Sequence, residues 1–112
     1  MNSLDRALLI KIIEEAEELE SFVSGLTLDA FLASPIIKKA VCMTLLNIGE
    51  LAKNLTEDFV VSHQSVPWRL IMRFRDIVAH RYQSLDMSLV FTTATIEALR
   101  MQQQIKLLLQ EE

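Results

Sequence analysis

Glycine and proline are almost absent from this chain, with two of each in 112 residues. A β-sandwich or barrel needs turn residues at short intervals, so this scarcity predicts an all-α protein. Cysteine is rarer still. A single Cys42 excludes an internal disulfide and a multi-cysteine metal site, and its apolar neighbours predict a small core residue. No apolar run approaches the ~18 residues of a membrane span. No basic segment followed by an apolar core opens the chain, so the expected compartment is the cytoplasm, with no membrane association. Net positive charge is lacking too, and a balance of -4 argues against a surface that binds nucleic acid throughout. Hydrophobic residues make up 51%, enough for a core and too many for disorder. The length suits one domain, 1–112, and no repeat, linker or low-complexity segment divides it.

Charge is unevenly spread. Residues 67–85 carry Arg69, Arg73, Arg75 and Arg81 against Asp76 alone, while the remainder holds seven basic and fourteen acidic residues. A basic patch on an acidic body attracts phosphate at one place and repels it elsewhere.

Hydrophobic spacing divides the chain into helices. Leu4, Leu8, Ile12, Ala16, Leu19 and Val23 form one stripe of a first helix, expected from Leu4 to Ser24 with Ser3 as cap and Gly25 after its end. Its other face is acidic (Glu14, Glu15, Glu17, Glu18, Glu20), which fits a solvated face or a dock for a basic partner. Thr27–Ala33 reads as a short helical turn. Ser34 and Pro35 then open a second helix running to about Leu55. Ile37, Val41, Leu45, Ile48 and Ala52 make its stripe, and Ile36, Ala40, Met43, Thr44 and Leu51 widen it into a central, largely buried helix. Gly49 lies inside it at a cost of ~1 kcal/mol relative to alanine. That cost implies close packing on a helix or a ligand, with Glu50 beside it. Residues 56–66 read as a loop holding a structural or exposed His63. Pro67 opens a third helix through Trp68, Ile71, Met72, Phe74 and Val78. After a break at Tyr82–Ser84, a cap at Ser84 or Asp86 starts a fourth helix to about Gln110. The fold expected is an antiparallel bundle of four to five helices, with surplus apolar surface on the second and fourth helices predicting a homodimer.

The third helix ends in RFRDIVAHRY, residues 73–82. Asp76 and His80 are four apart and face each other, so Asp76 is expected to orient the imidazole and favour its charged form, as is the helix C-terminus. Arg75 and His80 are five apart and diverge by about 140° on one straight helix. They meet on one ligand only if the helix breaks between them or a second subunit shares the site. Arginine presents a fork of donors to phosphate oxygens, and histidine moves a proton near neutral pH. Together they suffice for RNA cleavage without a metal: a base takes the ribose 2'-OH proton, that oxygen attacks phosphorus, and arginine offsets the added charge. No cluster has metal-ligand spacing. The spacing by itself is a weak pattern and favours a structural arrangement in which His80 satisfies terminal carbonyls, Arg75 and Arg81 are surface charges and Tyr82 packs its ring.

The stretch resembles the Arg-x4-His-x-Tyr signature of HepT-like toxins, a branch of the HEPN superfamily, carried here by Arg75, His80 and Tyr82. Ile48-Gly49-Glu50-Leu51-Ala52, Val66-Pro67-Trp68 with Ile71, and Tyr82 followed by Asp86 are similar to further family segments in the same order. The resemblance covers roughly residues 4 to 100. It implies a HEPN-like bundle that dimerises so that two Arg-x4-His elements meet in a cleft. It also implies a metal-independent endoribonuclease toxin needing no cofactor, with Arg75 and His80 catalytic. Arg73, Asp76, Arg81 and Tyr82 would serve substrate binding or control, and Glu50 would be an accessory group. The implied partner is a minimal nucleotidyltransferase antitoxin that transfers AMP to Tyr82. Asp76 stands where many members have Asn, and Arg81 where small or acidic residues are frequent. Two other readings of the same residues remain open: a non-catalytic subunit that presents nucleotide or substrate to a nucleotidyltransferase, and a plain helical interaction module.

Overall fold

The structure is a computed structural model that describes residues 1–111. Among these residues it is all-helical and contains no strand. Four rods dominate: α1 (Ser3–Val23), α3 (Pro35–Lys53), α5 (Trp68–Arg81), and a last rod made of α6 (Met87–Thr92), a π-helical segment Thr93–Glu97 and α7 (Ala98–Gln110), joined end to end. The short helices α2 (Leu28–Leu32) and α4 (Glu57–Ser62) sit at the corners. The HEPN-like bundle expected from the sequence fits this arrangement. No helix among the described residues is long and apolar enough to cross a membrane.

α3 is the central rod, with α1 on one side and α5 on the other, both antiparallel to it. Asp5 of α1 meets Thr56 beyond the end of α3. Arg75, midway along α5, lies against Gly49 and Glu50, while Tyr82 beyond its end comes near Cys42, earlier on α3. Val41, Leu45, Ile48 and Ala52 are buried as their spacing requires, and so are Leu8, Ile12, Ala16, Leu19 and Val23 of α1. Trp68, the largest fully buried side chain, donates its indole N–H to the His63 carbonyl at 2.9 Å. Cys42 is buried, and burial pushes its thiol up to about 11.

Several boundaries and faces differ from expectation. Asn2, not Ser3, caps α1, accepting from the Asp5 N–H at 2.7 Å. Leu4 is exposed because Asp5 takes the inward position in that turn. Ile36 and Met43 do not widen the buried face of α3. They are 81% and 59% exposed, on the side that no helix covers. The segment read as a loop contains α4, capped by Thr56, with Phe59 and Val60 buried. Six residues are too few to show a periodic stripe, but the threonine followed by two acidic residues was a usable start signal. His63 has the structural role: its ring stacks on Phe59 at 4.2 Å and its Nδ1 lies 2.9 Å from the Phe59 carbonyl oxygen. The caps Ser34 and Asp86 are where the sequence put them.

Candidate active site

α5 runs unbroken from Trp68 to Arg81, so no helix end separates Arg75 from His80. At 100° per residue its circumference divides into two halves. Trp68, Ile71, Arg75 and Val78 lie toward α3. Leu70, Arg73, Phe74, Ile77, His80 and Arg81 share the outer half, with Leu70, Arg73, Ile77, His80 and Arg81 exposed. Arg75 is therefore an inner residue and His80 an outer one, on the same rod.

Gly49 explains how an arginine fits on the inner face. A Cβ at this position would collide with Arg75 Cβ, would lie 2.8 Å from Arg75 Cγ and 3.2 Å from the Ile71 carbonyl oxygen. The missing side chain lets α5 settle on α3 with the arginine stem between them, the close approach expected of a costly helical glycine. Arg75 is then 21% exposed. Its Nη2 donates to Glu50 Oε2 at 3.2 Å and its Nη1 to Asp76 Oδ1 at 3.0 Å. Nε is buried and has no hydrogen-bond partner among the described residues.

Asp76 does not serve His80. Its Oδ1 accepts from Lys53 Nζ at 2.8 Å as well as from Arg75, and among the described residues no hydrogen bond joins it to His80. The Lys53 ammonium, then the Arg75 guanidinium, holds its carboxyl below the usual aspartate range. Facing along a helix was a correct but insufficient criterion, since a lysine on the neighbouring helix offers full opposite charge at shorter range. Lys53 was absent from the sequence reading. Its only signal was its place one turn beyond Glu50 on α3.

Tyr82 opens a single 3-10 turn, Tyr82–Ser84, immediately after α5. It is half-buried and packs on the core, where burial, then the nearby Cys42, raises its phenol above the ordinary tyrosine value. The structure thus brings Arg75, Asp76 and Glu50 together, adds Lys53, and leaves His80, Arg73 and Arg81 on the outer face. Among the described residues, no three His, Cys, Asp or Glu side chains converge in a manner that would hold a metal ion.

A helical bundle of HEPN type with an arginine and a histidine five residues apart on one core helix defines a class, and comparison with known proteins places the chain within it. The family model described as "Ribonuclease HepT-like" matches residues 12–108. The chain belongs to this family and is an enzyme of the ribonuclease class. It is 33% identical over 107 residues to a protein of Caldanaerobacter subterraneus subsp. tengcongensis named "putative RNase", covering 96% of both chains. A Methanocaldococcus jannaschii protein, also named "putative RNase", is 36% identical over 86 residues, which is 77% of this chain and 71% of that one. A Thermococcus cleftensis protein named "probable ribonuclease HepT" is 34% identical over 82 residues, 73% of this chain and 74% of that one. No solved structure is a significant match.

Proposed function

We propose that the chain, acting as one domain in the cytoplasm, is the metal-independent endoribonuclease toxin of a toxin-antitoxin pair, with its site formed between two copies. The observation that carries this reading is the division of α5: Arg75 is held on the inner face by Glu50 and Asp76, while His80 stands on the outer face beside Arg73 and Arg81. Two protomers packed along the outer stripe, through Leu70 and Ile77, would bring the histidine of one to the edge of that seam, where only the part-exposed guanidinium tip of the other copy's Arg75, turned to Asp76, is in reach. Leu70 also lines a groove of about 470 Å³ between α5 and the last rod, floored by Leu45 and Ile48, which apolar residues of a second copy would fill.

In that cleft a neutral His80 removes the 2'-OH proton as O2' bonds to phosphorus. The 5'-oxygen leaves and takes a proton from water, and the hydroxide so formed takes the proton from His80. The products are a cyclic phosphate and a 5'-hydroxyl. Arg75 offsets the charge gained at phosphorus, and Arg73 and Arg81 hold flanking phosphates. Tyr82 is the point of control. Its phenol oxygen would bond to the α-phosphorus of ATP on a nucleotidyltransferase, with pyrophosphate leaving and the phenolic proton passing to a base of that partner. The raised phenol value calls for such a base.

His80→Ala tests the reading. Proton transfer by a positioned side chain contributes roughly 10²–10⁴-fold, so cleavage of single-stranded RNA should fall by at least ~10²-fold with an unchanged circular dichroism spectrum. Wild-type cleavage should persist in EDTA. Equal cleavage by the two proteins would sink the mechanism.

A further inference from the structure

An arginine side chain carries five N–H donors, one on Nε and two on each terminal nitrogen. In this chain the Arg75 Nε is buried with no hydrogen-bond partner among the described residues, one donor of Nη2 goes to Glu50 and one of Nη1 goes to Asp76. What remains is one N–H on each terminal nitrogen, two donors available to phosphate oxygens. Asp76 is itself pinned by Lys53 at 2.8 Å. Glu50 and Lys53 are three residues apart on α3, so one turn of that helix carries both Glu50, which accepts from Arg75, and Lys53, which pins the Asp76 that accepts from Arg75. Gly49 fixes the depth of the stem in the same turn.

We infer that Glu50 is a positioning residue for the ribonuclease reaction: from α3 it sets the plane of the Arg75 guanidinium so that the two remaining donors face a single phosphate. This rests on the endoribonuclease reading above. Glu50 touches no reacting atom and acts only through Arg75. The opposite role, a carboxylate that sequesters Arg75 until substrate displaces it, makes the opposite prediction.

The experiment compares Glu50→Ala and Glu50→Gln with wild type in steady-state cleavage of an RNA oligonucleotide, alongside thermal unfolding and the nitrogen-15 NMR signals of the Arg75 guanidinium. Misplacing a catalytic group by about 1 Å can cost ~10²-fold, so Glu50→Ala should lower kcat about ten- to a hundredfold. KM should change by less than about twofold, because charge builds at phosphorus only in the transition state. Glutamine keeps the acceptor oxygen and should recover most of kcat. Arg75 Nη protons should be resolved in wild type and average together in Glu50→Ala. A kcat equal to or above wild type in Glu50→Ala overturns the inference, as does a loss that parallels a fall in thermal midpoint and is not recovered by glutamine. The NMR comparison is independent of cleavage. If wild type fails to cut RNA while the Arg75 signals collapse in the alanine variant, the ribonuclease reading fails and the positioning of Arg75 stands. Unchanged Arg75 signals refute the positioning itself.

Discussion

Gly49 shows how one residue sets a site it does not enter. Its absent side chain is the space in which Arg75 lies, and a methyl group there meets Arg75 Cβ, which is fixed to the backbone of α5 and has nowhere to swing. Gly49→Ala should therefore force α3 and α5 apart. Overpacking of this kind costs about 1–3 kcal/mol, net of the helix propensity alanine adds. Urea denaturation should show the loss, and RNA cleavage should fall with it. Asp76 gives a second residue-scale expectation. Its carboxyl is depressed in the folded chain by Lys53 and Arg75, so its contribution to stability is complete above the ordinary aspartate range and disappears as pH falls through the lower folded value. The thermal midpoints of wild type and Asp76→Asn should differ at pH 7 and converge as pH falls below the ordinary aspartate value.

At the scale of elements, the rods follow from local chemistry. Ser34 and Asp86 cap their helices, and Asn2 does the same one position earlier than expected. The last rod carries a less obvious feature. Thr92, Thr93 and Thr95 each donate a hydroxyl hydrogen bond to the carbonyl four residues back, at 3.2, 2.8 and 2.8 Å. Threonines that compete for these carbonyls disturb the backbone ladder, and here the ladder relaxes into the π segment Thr93–Glu97. The threonine cluster was visible in the sequence, but its consequence depends on packing around Ala94, which is buried. On α5 the outer stripe has its own test. Leu70 and Ile77 are apolar positions of that stripe and a charge buried there is costly, so in the proposed dimer Ile77→Glu should leave helicity intact, shift the protein to monomer by sedimentation, and reduce cleavage in proportion to the dimer lost.

For the whole molecule, the unbroken α5 makes the shared site the decisive matter. Arg75→Ala and His80→Ala should each be inactive alone. In the proposed dimer, mixing and subunit exchange leave one cleft with an intact Arg75 from one copy and an intact His80 from the other. Cleavage should return to a substantial fraction of wild type. If mixing restores nothing, each protomer works alone or the two copies do not meet along this face.

Most of the architecture was legible in the residues. Scarce glycine and proline, apolar spacing of three and four, and cap residues specify helices because these are local, short-range effects. The close packing at Gly49 was legible in the cost of a helical glycine, whereas Arg75, His80 and Tyr82 stood out only through their resemblance to a family signature. Only the tertiary structure decided that Asp76 turns to Lys53 rather than His80, that Asp5 is buried under Thr56, that Ile36 and Met43 face outward, and that Arg75 lies inside while His80 lies outside. Helical periodicity tells which residues share a face. It does not tell which neighbour faces them, and charge pairing and burial are settled by that neighbour.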